Sequence, residues 1–299
     1  MSQIQIVVPD GSMQDVISGL FAKAGLPVTV QNKRTKQGFV DVEWIERVIF
    51  QRPQEIPIYL NGGHFDVAIV GEDWIANWGM QSRFKVLAQL PVGRGGNRPV
   101  RIVLAVPETS GVQRAVDLPL GCEVATEYVQ LTQAFFKSKG RRDIRVVPSF
   151  GNTEHKIGFG ATAIVDVTES GNSLRENRLR VISEIMKSNT VIVANFKSYR
   201  DKSKRPYIDC FASLVYGAYQ ASLYVSLTAN VPNGMLDQAS DIMGGLTGPN
   251  CSPCIGKGAG WFTLQSTVPC TEEQSIIFKL LQIGVKGIRV DRNFPLIMS

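Results

Sequence analysis

Short, wholly apolar segments alternate with amphipathic segments over the first two hundred residues of the chain. Residues 4–9 (IQIVVP) have the pattern of a buried strand, and residues 13–24 repeat apolar side chains at helical spacing until Gly25. Strands that are apolar along their whole length and alternate with helices are typical of a parallel sheet covered on both faces. The pattern therefore predicts an α/β fold, with further strands in 65–71, 101–107, 122–128, 144–151 and 162–167 and helices in 72–79, 129–140 and 173–182.

The pattern changes after about residue 218. The order becomes strand, helix, strand, helix and strand, with a weak strand near Cys254 and Ile255, which predicts a βαββαβ domain of the ferredoxin-like type. The uncharged stretch from Cys210 to Leu236 is interrupted by polar residues and by Pro232. We interpret it as the end of a helix followed by a strand, and not as a membrane span.

Polar turns follow several of the predicted strands in the first two hundred residues. In open parallel sheets, ligands bind where strands end and helices begin, because amide donors and the positive ends of helices converge there. Five turns of this kind could line one cleft between two α/β lobes: 9–12, 71–73, 126–130, 151–154 and 168–173.

The composition restricts the kinds of partner. A length of 299 residues suggests two or three domains, and a formal charge of +6 favours anionic ligands. Because the basic residues are spread over many loops without interleaved aromatic side chains, small phosphates are favoured over nucleic acid. With His64 and His155 as the only histidines, a metal is expected to be held by oxygen ligands or to enter with a substrate.

The compartment follows from the first residues and the cysteines. The amino-terminal segment has no basic region followed by an apolar run, and five cysteines do not make a disulfide framework. We therefore expect a cytoplasmic protein. The Cys251 and Cys254 pair has the spacing of a metal or redox motif, but no second pair accompanies it, so we interpret it as a structural turn.

The most informative run for chemistry is 161–179, ATAIVDVTESGNSLRENRL. A buried strand brings Asp166 near its carboxyl end, and a small, hydroxyl-rich turn follows. Gly171 permits close backbone approach, and the amides at the start of the next helix complete a phosphate cradle. The alternative is a capped helix, in which Ser173 caps and Glu176 completes the capping box. An acidic residue ahead of the turn suits a ribose diol or a magnesium ion on a polyphosphate.

Six blocks, in the same order along the chain, resemble the long form of the ATP phosphoribosyltransferase family of histidine biosynthesis. The blocks are 52–75, 97–107, 123–136, SFGNTEHK (149–156), 163–182 and NVPNGMLD (230–237). The resemblance implies a two-lobed catalytic body like that of periplasmic binding proteins, and a ferredoxin-like regulatory domain. The implied bounds are 1–92 with 185–218 for lobe I, 93–184 for lobe II and 219–299 for the regulatory domain.

The same resemblance implies the reaction and its partners. Members of the family join ATP, through N1 of adenine, to C1 of phosphoribosyl pyrophosphate and release pyrophosphate with Mg²⁺. Histidine inhibits by binding the terminal domain, at residues within 219–299 that the sequence does not identify, and the subunits form dimers and hexamers. A displacement with oxocarbenium character depends on alignment and on stabilising the leaving group more than on a strong base.

The resemblance also assigns site residues. Asp166 with Arg98 and Arg101 are implied as catalytic, Asp166 being a possible magnesium ligand, although each arginine could instead form a surface salt bridge. Phosphoribosyl pyrophosphate is implied to bind Asp166, Thr168, Glu169, Ser170, Gly171, Asn172 and Ser173. ATP is implied to bind Asp10, Gly11, Ser12, Gly71, Asp73, Thr153 and Glu154.

One position departs from the family. The first turn usually reads Pro-Lys-Gly and here reads Pro9-Asp10-Gly11. A carboxylate in place of an ammonium group repels polyphosphates, so we expect weaker substrate binding or compensation by Lys33, Arg34 or Lys36. Asp10 also leaves open an inactive paralogue that binds without turnover. A second alternative, a two-lobed small-molecule binding module, stays open because periplasmic binding proteins share this cleft architecture.

Overall fold

A computed structural model describes residues 2–30, 36–93, 98–255 and 260–292. The described residues fall into two compact units, one within Met1–Gly19 and Leu26–Ala212, the other within Leu20–Gly25 and Ser213–Ser299. The strands are β1 Ile4–Pro9, β2 Thr29–Val30, β3 Gln37–Phe39, β4 Ile45–Gln51, β5 Val67–Gly71, β6 Phe84–Leu90, β7 Val100–Pro107, β8 Glu123–Thr126, β9 Arg145–Pro148, β10 Ala163–Thr168, β11 Leu179–Ser188, β12 Thr190–Asn195, β13 Tyr224–Pro232, β14 Asn250–Pro253, β15 Trp261–Pro269 and β16 Lys286–Asp291. The helices are α1 Gln14–Lys23, α2 Ile56–Asn61, α3 Glu72–Asn77, α4 Val129–Ser138, α5 Asn172–Glu176, α6 Phe196–Arg200, α7 Arg205–Ala221, α8 Leu236–Met243 and α9 Glu273–Gln282.

Two sheets form the first unit, and each is the centre of one lobe. The first lobe has the strand order β2-β3-β4-β1-β5-β12-β6, and the second lobe has the order β11-β7-β10-β8-β9. The predicted two-lobed α/β body is confirmed. Its sheets are not wholly parallel, however: β12 runs antiparallel to β5 and β6, and β7 runs antiparallel to β10 and β11.

The two crossings between lobes explain these antiparallel strands. Thr190 at the start of β12 pairs with Gly71 at the end of β5, and Arg101 near the start of β7 pairs with Thr168 at the end of β10. A strand that enters a lobe beside the end of its neighbour must run the opposite way. An apolar pattern reports burial and not direction, so it could not reveal this.

The predicted helix over 173–182 is wrong beyond its first turn. Helix α5 ends at Glu176, Arg178 adopts a left-handed conformation (φ 54°), and β11 begins at Leu179. Pairing of β11 with β7 from Pro107 to Val100 overrides the local helical pattern. The chain was predicted to return to the first lobe near residue 185. It returns later, between Ser188 and Thr190, because β11 extends to Ser188 and β12 begins at Thr190.

One apolar core connects the two lobes. It joins Val7 and Val70 of the first sheet to Leu104 and Val165 of the second, and all four are at most 1% exposed. Burying a side chain of this size stabilises the fold by roughly 1.5–3 kcal/mol, so the shared core holds the lobes as one unit. A smaller cluster that includes Ile164 and Leu174 fills the other face of the second sheet.

The second unit has the predicted ferredoxin-like order of elements. Its antiparallel sheet, β14-β15-β13-β16, carries α8 and α9, and Val225, Leu227, Leu264 and Leu280 are buried in its core. The end of α7 at Ala221 and the start of β13 at Tyr224 confirm the interpretation of the uncharged stretch. No helix in the described ranges is long and apolar enough to span a membrane.

The cysteine pair lies on the hairpin formed by β14 and β15. Cys251 is an exposed free thiol in β14, and the free Cys254 thiol lies 3.4 Å from the Thr263 hydroxyl. Residues 256–259, between this pair and β15, lie outside the described residues.

Candidate functional site

A cavity of about 290 Å³ lies between the two lobes, at the edge where both crossings are made. Both lobes contribute turns that the sequence predicted at strand ends, and the crossings contribute Val92, Gly93, Asn189 and Thr190. The lining residues are Pro9, Met13, Pro53, Gly71, Asp73, Trp74, Val92, Gly93, Val100, Tyr128, Val167, Thr168, Glu169, Ser170, Asn172, Ser173, Ser188, Asn189 and Thr190.

The turn that follows β10 forms one wall of this cavity. Its shape depends on its own hydroxyl groups: the amide of Gly171 donates to Thr168 Oγ1 at 2.9 Å, and the amide of Asn172 donates to Ser170 Oγ at 3.3 Å. Gly171 adopts a left-handed conformation (φ 79°), which costs little only for glycine. Asp166 precedes the turn, and its Oδ1 accepts from the amide of Val167 at 2.7 Å.

The capped-helix alternative for this turn is wrong in its details. Gly171 is the N-cap of α5, and no side chain caps the helix. The Ser173 hydroxyl instead donates to Glu154 of the neighbouring turn. Glu154, implied as an ATP residue, therefore contacts the turn implied for phosphoribosyl pyrophosphate. Thr153 beside it is buried and donates to Ser149 Oγ at 3.1 Å, so its hydroxyl supports the turn from within.

Asp73 lies at the base of the cavity and is 5% exposed. The hydroxyls of Ser188 and Tyr128 donate to its Oδ1 and Oδ2, each at 2.7 Å. Burial raises the pKa of Asp73, and the two hydroxyl donors oppose that shift. Burial and the nearby Asp73 charge hold the pKa of Tyr128 well above its usual value, so this hydroxyl stays protonated and donates.

The turn after β1 carries Asp10 where the family has a lysine, and the negative charge of Asp10 is neutralised by an ion pair. Asp10 is 9% exposed, and Lys36 Nζ forms an ion pair with its Oδ2. Gly11 and Ser12 are exposed, whereas Pro9 and Met13 line the cavity. Lys33 and Arg34, the other proposed sources of compensation, lie outside the described residues.

The two arginines implied as catalytic lie near the start of β7, outside the cavity lining. Arg101 Nη1 is 3.8 Å from Glu184 Oε2, which is the salt-bridge alternative considered from the sequence. Arg98 is exposed and pairs with no carboxylate of the described chain. The Arg98 carbonyl and the Glu169 carboxylate both lie close to Gly93. A Cβ added at Gly93 would be 2.5 Å from Glu169 Oε1. Gly93 therefore lets Glu169 approach the crossing.

The predicted site residues did not include Tyr128, Ser188 and Trp74, which line the cavity. The turn 126–130 was expected at the cleft, so Tyr128 had a positional signal, but nothing in the pattern indicated that its side chain faces Asp73. Nothing in the sequence pattern indicated that Ser188 lines the cavity, because its position depends on the long strand β11.

A metal would find few protein ligands in this cavity. Among the described ranges, no three His, Cys, Asp or Glu side chains are arranged to hold a metal ion. Asp166 could supply one carboxylate to a magnesium ion whose other ligands are phosphate oxygens and water, as is usual for magnesium on polyphosphates.

Comparison with known proteins agrees with this architecture. Residues 52–215 match the family model described as ATP phosphoribosyltransferase, and residues 221–291 match the model described as HisG, C-terminal domain. ATP phosphoribosyltransferases of Prosthecochloris aestuarii and Koribacter versatilis are 36% and 35% identical to this chain, covering 95% and 96% of it and 94% and 96% of their own length. A solved ATP phosphoribosyl transferase (HisG:HisZ) complex from Thermotoga maritima superposes with a TM-score of 0.61 at 25% identity, over 73% of this chain and 99% of that one. The chain therefore belongs to the ATP phosphoribosyltransferase family.

Proposed function

We propose that the protein condenses ATP with phosphoribosyl pyrophosphate, joining adenine N1 to C1 of the ribose and releasing pyrophosphate. The observation that supports this best is the shared cavity, in which the turn Thr168 to Ser173 faces Pro9, Met13 and Gly71 of the other lobe. Two anionic substrates can approach each other there from separate lobes. The family membership supplies the identity of the substrates.

The phosphoribosyl end is proposed to bind the second lobe. Backbone amides and hydroxyls of residues 168–173 would receive the 5-phosphate, and Asp166 would accept hydrogen bonds from the ribose hydroxyls. ATP is proposed to lie against Asp10, Gly11, Ser12, Gly71 and Asp73, with Thr153 and Glu154 at its adenine. Arg98 and Arg101 would stabilise the departing pyrophosphate.

Magnesium is proposed to enter on the polyphosphates. When bound, Mg²⁺ neutralises charge on the leaving pyrophosphate. The protein's own contribution is alignment: two rigid turns hold the adenine nitrogen in line with the anomeric carbon, and no imidazole base is required. The exposed position of His155, next to Glu154, fits a mechanism without such a base.

Histidine is proposed as a feedback inhibitor that binds the ferredoxin-like unit. This unit has its own core and belongs to the matched C-terminal family model. We further propose that the chain assembles into dimers and hexamers. The Thermotoga maritima relative is described as a complex, which supports assembly as a property of such proteins.

Pyrophosphate release tests the proposal. The purified protein is mixed with ATP, phosphoribosyl pyrophosphate and Mg²⁺, and release is expected only when all three are present. Asp166→Ala should abolish release, whereas Asp117→Ala, an exposed carboxylate of the second lobe paired with Arg114, should leave it unchanged. Binding of both substrates without turnover would favour the inactive paralogue. Binding of a single small molecule, with no affinity for ATP, would favour the binding module.

A further inference from the structure

Helix α3 of the first lobe contacts the β8–α4 turn and the first turn of α4, both in the second lobe, through three interactions. The Tyr128 hydroxyl donates to Asp73 Oδ2 at 2.7 Å, and the Leu131 amide donates to Asn77 Oδ1 at 3.1 Å. The rings of Trp74 and Tyr128 stack, with centroids 4.3 Å apart and planes 24° from parallel. We call this set of five residues the lobe clasp.

The side chains that form the clasp are withdrawn from water. Asp73, Trp74, Asn77 and Tyr128 are each at most 8% exposed. A hydrogen bond in such surroundings does not compete with water, and removing its donor leaves a buried acceptor without a partner. Each of the two bonds therefore adds to the contact between the lobes.

The same helix also holds the crossing between the lobes. Ser188 Oγ donates to Asp73 Oδ1 at 2.7 Å, and the amide of Asn189 donates to Glu72 Oε2 at 2.9 Å. The Thr190 hydroxyl donates to the carbonyl of Val92 at 3.0 Å and so ties the two crossing segments together. The start of α3 thus contacts both the opposite lobe and the segment about which the lobes would rotate.

The clasp also stands between two spaces in the cleft. Trp74 lines the 290 Å³ cavity and a neighbouring cavity of about 540 Å³, which Arg52, Asn77, Trp78 and Phe150 also line. A rotation of the lobes about the clasp would therefore change the 290 Å³ cavity in which the two sets of turns face each other.

We propose that Tyr128 and Asn77 are positioning residues whose contacts to the opposite lobe fix the distance between the turn 168–173 and the turns of the first lobe. This inference rests on the proposed function, because alignment of two substrates held by separate lobes is what the clasp would set. Neither residue is required to exchange a proton with a substrate.

Kinetics of Tyr128→Phe and Asn77→Ala test the inference. Misalignment should lower kcat by roughly 10- to 100-fold in both variants. The KM for phosphoribosyl pyrophosphate should stay within about threefold, because the second lobe alone supplies the turn that binds it. Asn77→Asp keeps the acceptor oxygen and should restore kcat. Tyr207→Phe is the matched control, because this ring stacks on Trp44 within the first lobe and its hydroxyl bonds to no described residue.

Binding of ribose 5-phosphate separates a positioning role from direct contact with the substrate. Calorimetric titration should give the same affinity, within about twofold, for wild type and both variants. A large loss of affinity in Tyr128→Phe alone would mean that the hydroxyl binds the substrate, and would overturn the positioning role. If Tyr128→Phe does not fold, the test rests on comparing Asn77→Ala, which lacks the acceptor oxygen, with Asn77→Asp, which keeps it.

Hydrogen exchange tests the clasp without relying on the reaction. Peptides covering 72–78 and 128–132 should exchange roughly tenfold faster in both variants, and peptides of 224–232 should not change. Faster exchange together with an inactive wild type would support the clasp and refute the proposed function. Unchanged exchange with unchanged kcat would refute the clasp, whatever the substrates are.

Discussion

The ion pair between Asp10 and Lys36 brings opposite charges together at the end of β1, beside the cavity. The Asp10 side chain is 10% exposed and that of Lys36 is 47% exposed, so the carboxylate is the member that depends on its partner. The pair is neutral as a unit, which removes the repulsion that a lone carboxylate would exert on a polyphosphate.

Lys36→Met should destabilise the first unit and weaken ATP binding together. The unpaired Asp10 carboxylate would cost about 1 kcal/mol, a modest amount because the lysine is half exposed, and the KM for ATP should rise severalfold. Urea unfolding and initial rates measure the two effects. Lys187→Met removes an exposed lysine of β11 and should change neither.

Two further variants separate repulsion from packing at the same position. Adding Asp10→Asn to Lys36→Met should restore stability and the KM for ATP, because the charge to be neutralised is gone. We expect Asp10→Lys to bring no improvement in the Michaelis constants, since it sets two ammonium groups side by side. A lower KM for either substrate in Asp10→Lys would mean that Asp10 repels substrate despite Lys36.

The sequence identified Asp10 as unusual but could not select its partner. Three basic residues of the next loop were candidates, and within the described residues it is Lys36 that forms the ion pair. Tyr128 and Ser188 illustrate the same limit. Each reaches Asp73 only because a distant segment, the second lobe or β11, brings it there.

At the scale of elements, the β10–α5 turn was the most predictable part of the site. A buried strand, a short hydroxyl-rich turn and a helix start were expected, and β10 and α5 occur there. The helix was expected to continue to residue 182 because local spacing alone favours it. Pairing with β7 converts residues 179–188 into a strand, and that pairing is invisible to a local pattern.

Gly171→Ala should damage this turn more than it destabilises the fold. A Cβ at φ 79° costs about 1–2 kcal/mol in the left-handed conformation, although no other atom lies within 4 Å of it. Relief of that strain would rotate the Gly171 amide away from Thr168 Oγ1. We expect the KM for phosphoribosyl pyrophosphate to rise by at least about tenfold, measured by initial rates.

Gly111→Ala is the matched control for Gly171→Ala. It also has open space around the new Cβ and lies in the second lobe, but its φ is not positive. An unchanged KM in Gly171→Ala, alongside an unchanged control, would show that the turn tolerates the substitution and that its conformation does not determine phosphoribosyl binding.

A second element-scale feature fixes the start of β8. Arg141 donates to Asp143 and to the carbonyls of Val116, Leu118 and Pro119, and Asp143 accepts from the Gly121 amide at 3.0 Å. The Arg141 hydrogen bond, with help from that amide, holds the pKa of Asp143 well below its usual 3.8. A depressed native pKa gives stability that is present above pH 3.8 and is lost as pH falls through the native pKa.

Asp143→Asn should therefore lose stability at neutral pH but not in strong acid. The difference in urea midpoint between wild type and variant should be constant above about pH 5 and should shrink steadily below pH 3.8. Asp41→Asn, an exposed carboxylate that forms no ion pair within the described chain, should show no such trend. A difference that does not shrink at all between pH 5 and pH 2 would mean that Asp143 acts through packing and not through its charge.

At the scale of the whole molecule, the sequence predicted the lobes and the terminal domain but not strand direction. The ferredoxin-like unit could be predicted because its strands and helices follow one another in an order that apolar spacing along the sequence indicates. The crossings between lobes could not, because they depend on which distant strands pair, as Thr190 with Gly71 and Arg101 with Thr168 illustrate. The turns that line the cavity at those crossings were accordingly predicted, whereas Ser188, at the end of β11, was not.

Separate cores in the two units predict two transitions in calorimetric unfolding. Ribose 5-phosphate at 100 times its dissociation constant should stabilise only the first unit, by about 2.7 kcal/mol, which corresponds to a shift of roughly 5–10 °C. Trp261 is the tryptophan of the second unit, and Trp44, Trp74 and Trp78 belong to the first. The fluorescence transition that disappears in Trp261→Phe is therefore that of the second unit. Histidine, if it binds the ferredoxin-like unit as proposed, should raise that second transition. A single transition raised equally by either ligand would mean that the two cores unfold as one.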